Sequence, residues 1–341
     1  MADDAKAVWA AAIPSRQGEL RDAHGRVKRK LRLSLTDRCN LRCLYCMPEH
    51  PEWLPKAQVL RREELLRLAR LFVTEMGITH LRLTGGEPLL RRDVVEIVAE
   101  LDALRSLGLR RIAMTSNGAL LDRFAVPLAA AGLDDLNVSL DARTPEIFHT
   151  LTRGDIEPVL RGIDAARAAG LPVKINCVAI RGHNDAELLP LAEWARTENL
   201  PLRFIEFMPL DGRGAWSPAR VITEAEILAQ LRQRFSIEPL PRSNEPATYY
   251  RLDGHYRLGV ISTVSKPFCS SCDRVRLTAT GELYACLFSP TAADLRGPLR
   301  AGADDAALAA LIRRQIWFKE AGYIEHKGYV ERPLTMHAMG G

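Results

Sequence analysis

Three cysteines stand close together near the start of the chain: Cys39, Cys43 and Cys46, spaced C-x3-C-x2-C. Thiolates are soft ligands that suit zinc or iron–sulfur clusters. A structural zinc site normally takes four protein ligands, and His50 is the nearest candidate for the fourth. A cubane cluster with four irons and three cysteines keeps one iron open for a ligand that is not protein. The spacing therefore predicts an iron–sulfur cluster with an open iron, and zinc is the alternative.

A second group of three cysteines lies in the last quarter of the chain, where Cys269 and Cys272 form a C-x2-C pair and Cys286 follows. The nearest histidine is His255, so zinc is again the alternative to a second cluster with an open iron. The seventh cysteine, Cys177, stands alone at an apolar position of a strand-like segment, and we interpret it as a buried thiol. An odd number of cysteines in a chain of this length favours metal or redox chemistry over a disulfide framework.

Other groups able to bind a ligand accompany these cysteines. Gly85 and Gly86 allow the backbone to approach a ligand closely, and Glu87 adds a carboxylate that could bind an amino group. Arg274 and Arg276 stand two apart in a strand-like segment, so their side chains should point to the same face. Because guanidinium groups bind phosphate oxygens through two parallel bonds, this pair suggests an anionic substrate beside the second cluster.

The elements that must position these groups alternate as strand and helix. Apolar runs predict six strands, at Leu31–Thr36, His80–Thr84, Arg111–Thr115, Leu136–Leu140, Val173–Ile180 and Leu202–Phe207. Amphipathic stretches predict helices between them, at Arg61–Met76, Val94–Leu107, from about Asp122, Val159–Ala169 and Ala186–Arg196. Strands in such units are parallel, and an α/β protein places its chemistry at their carboxyl ends. Periodicity alone is equally consistent with an open partial barrel and with a doubly wound sheet.

The alternation ends after Phe207. A loop is predicted next, and short elements follow it: a helix at Glu224–Phe235, strands at Thr248–Leu252 and Tyr256–Val264, a hairpin around Gly281 and a helix at about Asp304–Glu320. We therefore expect a smaller α+β appendage that carries the second group of cysteines.

Composition narrows the class of protein. The chain has 341 residues, of which 47% are hydrophobic and 26% charged, and this excludes global disorder. Lys and Arg number 47 against 42 Asp and Glu, a net charge of +5 that is spread along the chain and does not predict nucleic-acid binding. No long uncharged apolar run and no leader-like segment stands out, so we expect no membrane association and a cytoplasmic location.

The segment from Cys39 to Cys46, with Tyr45 before its last cysteine, resembles the signature of the radical S-adenosylmethionine (SAM) superfamily, and Thr84–Pro88 resembles its GGEP element. The resemblance implies a partial (β/α)6, TIM-like barrel over residues 26–210 and a 4Fe–4S cluster on Cys39, Cys43 and Cys46 whose open iron binds SAM. Members of this superfamily cleave SAM to a 5′-deoxyadenosyl radical that abstracts a hydrogen. The implied SAM contacts are Tyr45, Gly86, Glu87, Ser139 and Met208.

Nearly the whole chain, from about Leu31 to Gly341, resembles the GTP 3′,8-cyclase family, which opens molybdenum cofactor (molybdopterin) biosynthesis. The segments that carry this resemblance are LSLTDRCN (33–40), LRLTGGEP (81–88), NVSLDA (137–142), RFIEFM (203–208) and the final Gly340-Gly341. In that family the ribose 3′ hydrogen of GTP is abstracted and the carbon radical attacks C8 of guanine, which gives (8S)-3′,8-cyclo-7,8-dihydroguanosine 5′-triphosphate.

The same resemblance implies site residues in this chain. A second 4Fe–4S cluster on Cys269, Cys272 and Cys286 would bind the guanine of GTP. The implied GTP contacts, chiefly to the triphosphate, are Arg32, Arg82, Thr115, Lys174, Arg274 and Arg276. Catalytic roles are implied for Arg274, Arg276 and the two residues of the tail, Gly340 and Gly341.

Domain limits and partners follow from the resemblance as further expectations. Residues 1–25 would be an N-terminal extension, residues 211–325 an auxiliary-cluster domain and residues 326–341 a tail. An external electron donor, a homodimer and hand-over of the product to a cyclic pyranopterin monophosphate synthase are expected. The alternatives are a radical SAM enzyme that modifies a peptide, an iron–sulfur electron carrier or redox sensor, and a zinc-binding nucleic-acid module.

Overall fold

The computed structural model describes residues 18–210, 214–322 and 335–340. The strands, in chain order, are β1 (Leu20–Arg21), β2 (Val27–Lys28), β3 (Lys30–Ser34), β4 (His80–Thr84), β5 (Arg111–Ser116), β6 (Asp135–Ser139), β7 (Val173–Ala179), β8 (Leu202–Glu206), β9 (Ile237–Pro239), β10 (Thr248–Leu252), β11 (Tyr256–Ile261), β12 (Arg274–Leu277), β13 (Glu282–Tyr284) and β14 (Ala293–Asp294). All six strands predicted before Phe207 are confirmed, with ends that differ by one or two residues.

The α-helices are α1 (Arg62–Thr74), α2 (Val94–Asp102), α3 (Leu121–Ala130), α4 (Pro145–Thr152), α5 (Ile156–Ala168), α6 (Leu188–Thr197), α7 (Glu224–Leu231), α8 (Arg296–Arg300), α9 (Asp305–Trp317) and α10 (Met336–Met339). Short 3-10 helices cover Lys56–Gln58, Pro88–Leu90, Ala103–Leu107, Asp185–Glu187, Pro218–Arg220 and Cys269–Ser271. The sequence analysis did not predict α4, α8, α10 or the β1–β2 hairpin. No helix of the described residues is both long enough and apolar enough to cross a bilayer.

Twelve of the described strands form one mixed sheet, in the order β14-β13-β12-β3-β4-β5-β6-β7-β8-β11-β10-β9. The run from β3 to β8 is parallel and follows chain order, which is the order of a barrel and not of a doubly wound sheet. The α/β class and the six parallel strand–helix units are therefore confirmed.

The C-terminal strands extend this sheet at both edges. β12 pairs in parallel with β3, and β11 pairs in parallel with β8, so eight consecutive strands are parallel. Within the described residues the C-terminal strands therefore continue the sheet of the barrel and do not form a second sheet. The physical reason is that an open parallel sheet exposes unpaired backbone groups at both edges, and added strands satisfy them. The predicted domain limits stay a prediction.

Alternation along the parallel strands separates core from cavity. On β3, Leu31 and Leu33 are fully buried in the apolar core, whereas Lys30 and Arg32 line a central cavity. On β7, Ile175 and Cys177 are likewise buried in the core, which confirms Cys177 as a buried thiol. Because successive side chains of a strand point to opposite faces, one face of these strands packs in the apolar core and the other face carries most of the polar residues that line the cavity.

Candidate active site in the barrel cavity

A cavity of about 680 Å³ is lined by side chains from strands β3 to β8 and from β10, β11 and β12. Contact with so many strands shows that the sheet curls around this space. Both groups of three cysteines line it: Cys39, Cys43, Cys46, Cys269, Cys272 and Cys286. The barrel interior is therefore the candidate site.

The first group of cysteines lies in the loop that follows β3. The loop is held against α4, because Arg42 N donates to the carbonyl of Thr152 at 2.7 Å and Leu44 N donates to that of Leu151 at 2.8 Å. Leu41 N donates to Cys39 Sγ at 3.4 Å. Burial raises the pKa of the Cys39 thiol to about 11, so these thiols need an electrophilic partner to ionise near neutral pH.

The second group of cysteines has a more positive environment. Lys319 Nζ lies 3.3 Å from Cys272 Sγ, and Arg274 Nη2 lies 3.7 Å from it. Burial raises the pKa of Cys272, but the two cations outweigh burial and bring it down to about 6. Cys286 Sγ accepts a hydrogen bond from Phe288 N at 3.4 Å. This environment favours thiolate ligands.

The donor set of each triad fits an iron–sulfur cluster. All seven cysteines are free thiols, and soft thiolates facing one cavity are the ligands that such clusters take. Among the described residues, no three His, Cys, Asp or Glu side chains converge closely enough to hold one metal ion.

Four of the five predicted SAM contacts line the cavity: Tyr45, Gly86, Ser139 and Met208. Gly86 N donates to the Thr36 carbonyl at 2.8 Å, and a Cβ at Gly86 would overlap the Arg38 carbonyl. Glycine is thus required for the loop after β4 to lie on the loop after β3.

The fifth, Glu87, is fully buried and is not among the residues that line the cavity. Its carboxylate accepts hydrogen bonds from Asn117 N at 2.7 Å, Ser116 Oγ at 2.9 Å and Leu89 N at 3.1 Å. Burial raises the pKa of Glu87 to about 7 in spite of these bonds. In this structure its carboxylate joins the GGEP loop to the end of β5.

All six predicted GTP contacts line the cavity: Arg32, Arg82, Thr115, Lys174, Arg274 and Arg276. Arg274 and Arg276 share a face of β12, as their spacing predicts. Burial and the neighbouring arginines, Arg276 first among them, lower the pKa of Arg32, and burial lowers those of Arg82 and Arg276 to about 10. Such crowding of buried cations favours an anionic ligand.

The sequence analysis did not predict several polar residues that line the cavity. Arg203 on β8 lines it and donates to Asn176 Oδ1 at 2.9 Å. Asn137 lies between Thr115 and Lys174 in the register of the sheet, and its buried Oδ1 has no hydrogen-bond partner in the described residues. The signal that could have identified Asn137 is the alternation of side chains along β6. Asn137 stands two residues before Ser139, so both side chains point to the same face of the strand.

Asp135 balances part of the positive charge at the amino ends of the strands. Its Oδ2 accepts from Arg111 Nε at 2.6 Å, while Oδ1 lies 3.6 Å from Lys174 Nζ and 4.0 Å from Arg82 Nη2. One carboxylate thus faces three cations, and positive charge remains in excess.

The end of the chain packs beside the first cysteine loop. His337 N donates to the Cys46 carbonyl at 3.4 Å, and Met336 lines the cavity. Gly340 has φ +80°, and a Cβ there would lie 2.5 Å from Thr84 Oγ1. Gly340 itself is not among the lining residues, and Gly341 lies outside the described residues.

Comparison with known proteins finds two matching families along this chain. The radical SAM superfamily matches residues 33–195, and Molybdenum Cofactor Synthesis C matches residues 200–325. A GTP 3′,8-cyclase of Streptomyces coelicolor is 46% identical over 337 residues, which cover 96% of this chain and 98% of that protein. Another, of Corynebacterium glutamicum, is 45% identical and covers 97% of this chain and 92% of that protein.

Solved structures show the same fold. SuiB of Streptococcus suis, crystallised with S-adenosylmethionine, superimposes with a TM-score of 0.57 at 13% identity. The alignment covers 85% of this chain and 69% of that one.

Proposed function

This chain belongs to the GTP 3′,8-cyclase family of the radical SAM superfamily, and we infer from that membership that it converts GTP to (8S)-3′,8-cyclo-7,8-dihydroguanosine 5′-triphosphate. This is the first step of molybdopterin biosynthesis. The observation that carries the inference furthest is a single cavity that is lined by both cysteine triads and by several arginine and lysine side chains.

The residues around the first triad bind the radical source. Cys39, Cys43 and Cys46 would hold a 4Fe–4S cluster, which with SAM would supply the radical chemistry for abstraction of the ribose 3′ hydrogen. Gly86, Ser139 and Met208 contact SAM, and the ring of Tyr45 lies beside its adenine. Glu87 acts on SAM through the loop that it holds.

The substrate lies between the two triads. Cys269, Cys272 and Cys286 hold the second 4Fe–4S cluster beside the guanine. Arg32, Arg82, Thr115 and Lys174 bind the triphosphate, because guanidinium and ammonium groups match its charge and its oxygen acceptors. This orientation keeps the ribose facing the first triad.

Arg274 and Arg276 bind the substrate from the side of the second triad. They are also the arginines to which the family resemblance assigns a catalytic role. Arg274 lies over the Phe268 ring at 4.9 Å, and the guanidinium of Arg276 is buried. In that setting both can stabilise negative charge when the cyclised nucleotide is reduced. Gly340 completes the site from the side of Thr84. The catalytic role of the tail in this family is proposed for Gly341 as well.

Partners and location complete the proposal. Reduction requires an external electron donor, and the product passes to a cyclic pyranopterin monophosphate synthase. We propose a homodimer in the cytoplasm, a reducing compartment that suits seven free cysteines.

A reconstitution assay tests this function. The chain is loaded with iron and sulfide without oxygen, reduced, and given SAM with GTP, with ATP, or with no nucleotide. We expect 5′-deoxyadenosine and a cyclised guanine nucleotide only with GTP. Release of 5′-deoxyadenosine that does not depend on GTP, with no cyclised product, would contradict the proposal and favour a peptide substrate.

A further inference from the structure

Two cations of the N-terminal hairpin, residues 20–28, reach the loop of the second cysteine triad. Arg26 Nη1 donates to the Cys269 carbonyl and Lys28 Nζ donates to the Cys272 carbonyl, each at 2.8 Å. Asp22 holds both cations, because its Oδ2 accepts from Arg26 Nε and from Lys28 Nζ, each at 2.6 Å. One carboxylate thus orients the two side chains that fix the backbone of two cysteines.

The same hairpin holds the segment after α9 against the triad. Arg26 also donates to the carbonyls of Glu320 and Ala321, each at 2.6 Å. This segment carries Lys319, whose Nζ donates to Cys272 Sγ at 3.3 Å and to the Arg274 carbonyl at 3.0 Å. Arg26 therefore joins both sides of the pocket around the second triad.

The charged side chains of the hairpin and Lys319 are buried, and their net charge indicates what kind of group must lie beside them. Asp22, Arg26, Lys28 and Lys319 are between 0% and 9% exposed, so all four are at least nine-tenths buried. Arg26 and Lys28 bind the Asp22 carboxylate, whereas Lys319 contacts Cys272 Sγ. Within this group of four side chains, three cations and one carboxylate leave two buried positive charges in excess. Buried charge without a partner is costly, so the group requires an anion beside it. A cluster held by thiolates on Cys269, Cys272 and Cys286 is an anion in that place.

We propose that Asp22 is the positioning residue of the second cluster: it aims Arg26 and Lys28 at the carbonyls of Cys269 and Cys272. The proposal rests on the proposed function, since it takes these cysteines as cluster ligands. Without the carboxylate, two buried cations lose their shared partner and repel each other and Lys319. The cysteine loop then loses the contacts that hold it ready for the cluster. The first triad, which contacts none of these four side chains through the bonds described above, is unaffected.

Two variants test the proposal. Asp22→Asn keeps the size of the side chain and removes its charge, and Lys28→Met removes the donor to Cys272 while the Asp22–Arg26 pair remains. We expect reconstituted iron to fall by about half in each, from about eight to about four per chain. The response of the electron paramagnetic resonance (EPR) spectrum to GTP should disappear, and its response to SAM should remain. Glu19→Gln is the matched control, because Glu19 directly precedes the hairpin and pairs with Arg21 near the surface at 3.0 Å.

Each other outcome overturns a distinct statement. Wild-type iron and an unchanged response to GTP in both variants would show that Asp22 does not position the cluster. Loss of both clusters with a lower melting temperature would also overturn the proposal, since that is the result of a general loss of fold. If the wild-type protein bound only about four irons per chain, it would hold one cluster, and this would contradict the proposed function itself.

Discussion

The hydroxyl of Tyr45 donates a hydrogen bond to Asp141 Oδ2 at 2.7 Å, and this bond joins the first cysteine loop to the residues after β6. Asp141 Oδ1 accepts a second bond, from Val178 N at 2.8 Å. Burial raises the pKa of Asp141 to about 6, and the two bonds act against that rise. The Tyr45 ring is therefore held at the cavity wall beside Cys46.

Tyr45→Phe keeps the ring and removes the bond. We expect the KM for SAM to rise about fivefold, because a net hydrogen-bond energy of about 1 kcal/mol holds the ring in place. Initial rates of 5′-deoxyadenosine formation against SAM concentration measure this. Tyr256→Phe is the control, since the buried Tyr256 hydroxyl donates to the Leu200 carbonyl at 2.6 Å away from the cavity. An equal rise in KM in both variants would argue against a specific role for Tyr45.

Gly340→Ala tests the packing of the tail. The added methyl group lies 2.5 Å from Thr84 Oγ1 at a φ of +80°. We expect turnover of GTP to fall at least about tenfold with both clusters intact, because a displacement of about 1 Å at a reacting site costs that much or more. Gly302→Ala has a similar φ of +86° with nothing within 4 Å, so it isolates the backbone cost. Matching losses of activity in the two variants would mean that the contact with Thr84 is not used.

Arg276→Lys tests recognition of phosphate by guanidinium. The Arg276 side chain is buried, and its Nη1 has no hydrogen-bond partner in the described residues. Lysine keeps the charge and loses the paired donors, so we expect the Kd for GTP to rise about tenfold. Isothermal titration with GTP and GDP measures the change. Arg251→Lys, at an exposed position of β10, should bind GTP as the wild type does. An unchanged affinity of Arg276→Lys for GTP would show that Arg276 does not bind the substrate.

Cys269→Ala and Cys177→Ala separate cluster ligand from core residue. We expect Cys269→Ala to lose about half of the reconstituted iron, since one of the two triads becomes incomplete. Cys177 is fully buried and donates to the Asp141 carbonyl at 3.6 Å, so Cys177→Ala should keep all iron and lose only some stability. Iron per chain after reconstitution, with urea unfolding of both variants, checks this. Full iron in Cys269→Ala would show that the second triad is not a ligand set.

The stability of the fold should depend on pH through the Glu64 carboxylate. Hydrogen bonds from Arg300, at 2.8 and 3.0 Å, are the main cause that lowers the pKa of Glu64 to about 2. Because this value lies below that of the unfolded chain, the carboxylate stabilises the fold above about pH 4.5, and the contribution is lost as the pH falls towards 2. The urea midpoint of Glu64→Gln should therefore lie below that of the wild type at pH 7, with a difference that shrinks below pH 4. Glu63→Gln, at an exposed neighbouring position, should show no such difference.

Much of the fold was predictable because its signals are local. Strands β3, β4 and β6 alternate apolar and polar residues throughout, and that period is readable within five positions. The other three parallel strands are recognisable as short runs rich in apolar residues. The cysteine spacings are equally local, so both triads and the shared face of Arg274 and Arg276 could be named. The resemblance to a family then suggested residues such as Lys174 and Ser139, which the structure brings to the same cavity.

What the amino-acid sequence by itself determined is therefore the set of chemical groups and the elements that carry them. Tertiary structure alone decided that the Glu87 carboxylate is fully buried, because Ser116 and Asn117, from the next strand and the turn after it, supply its donors. It alone decided that Lys28, held by Asp22, donates to the Cys272 carbonyl, since that contact joins residues 244 positions apart and leaves no local pattern. Contacts between side chains so far apart in the sequence depend on the closure of the whole sheet and on the balance of buried charge. No short window of sequence encodes either.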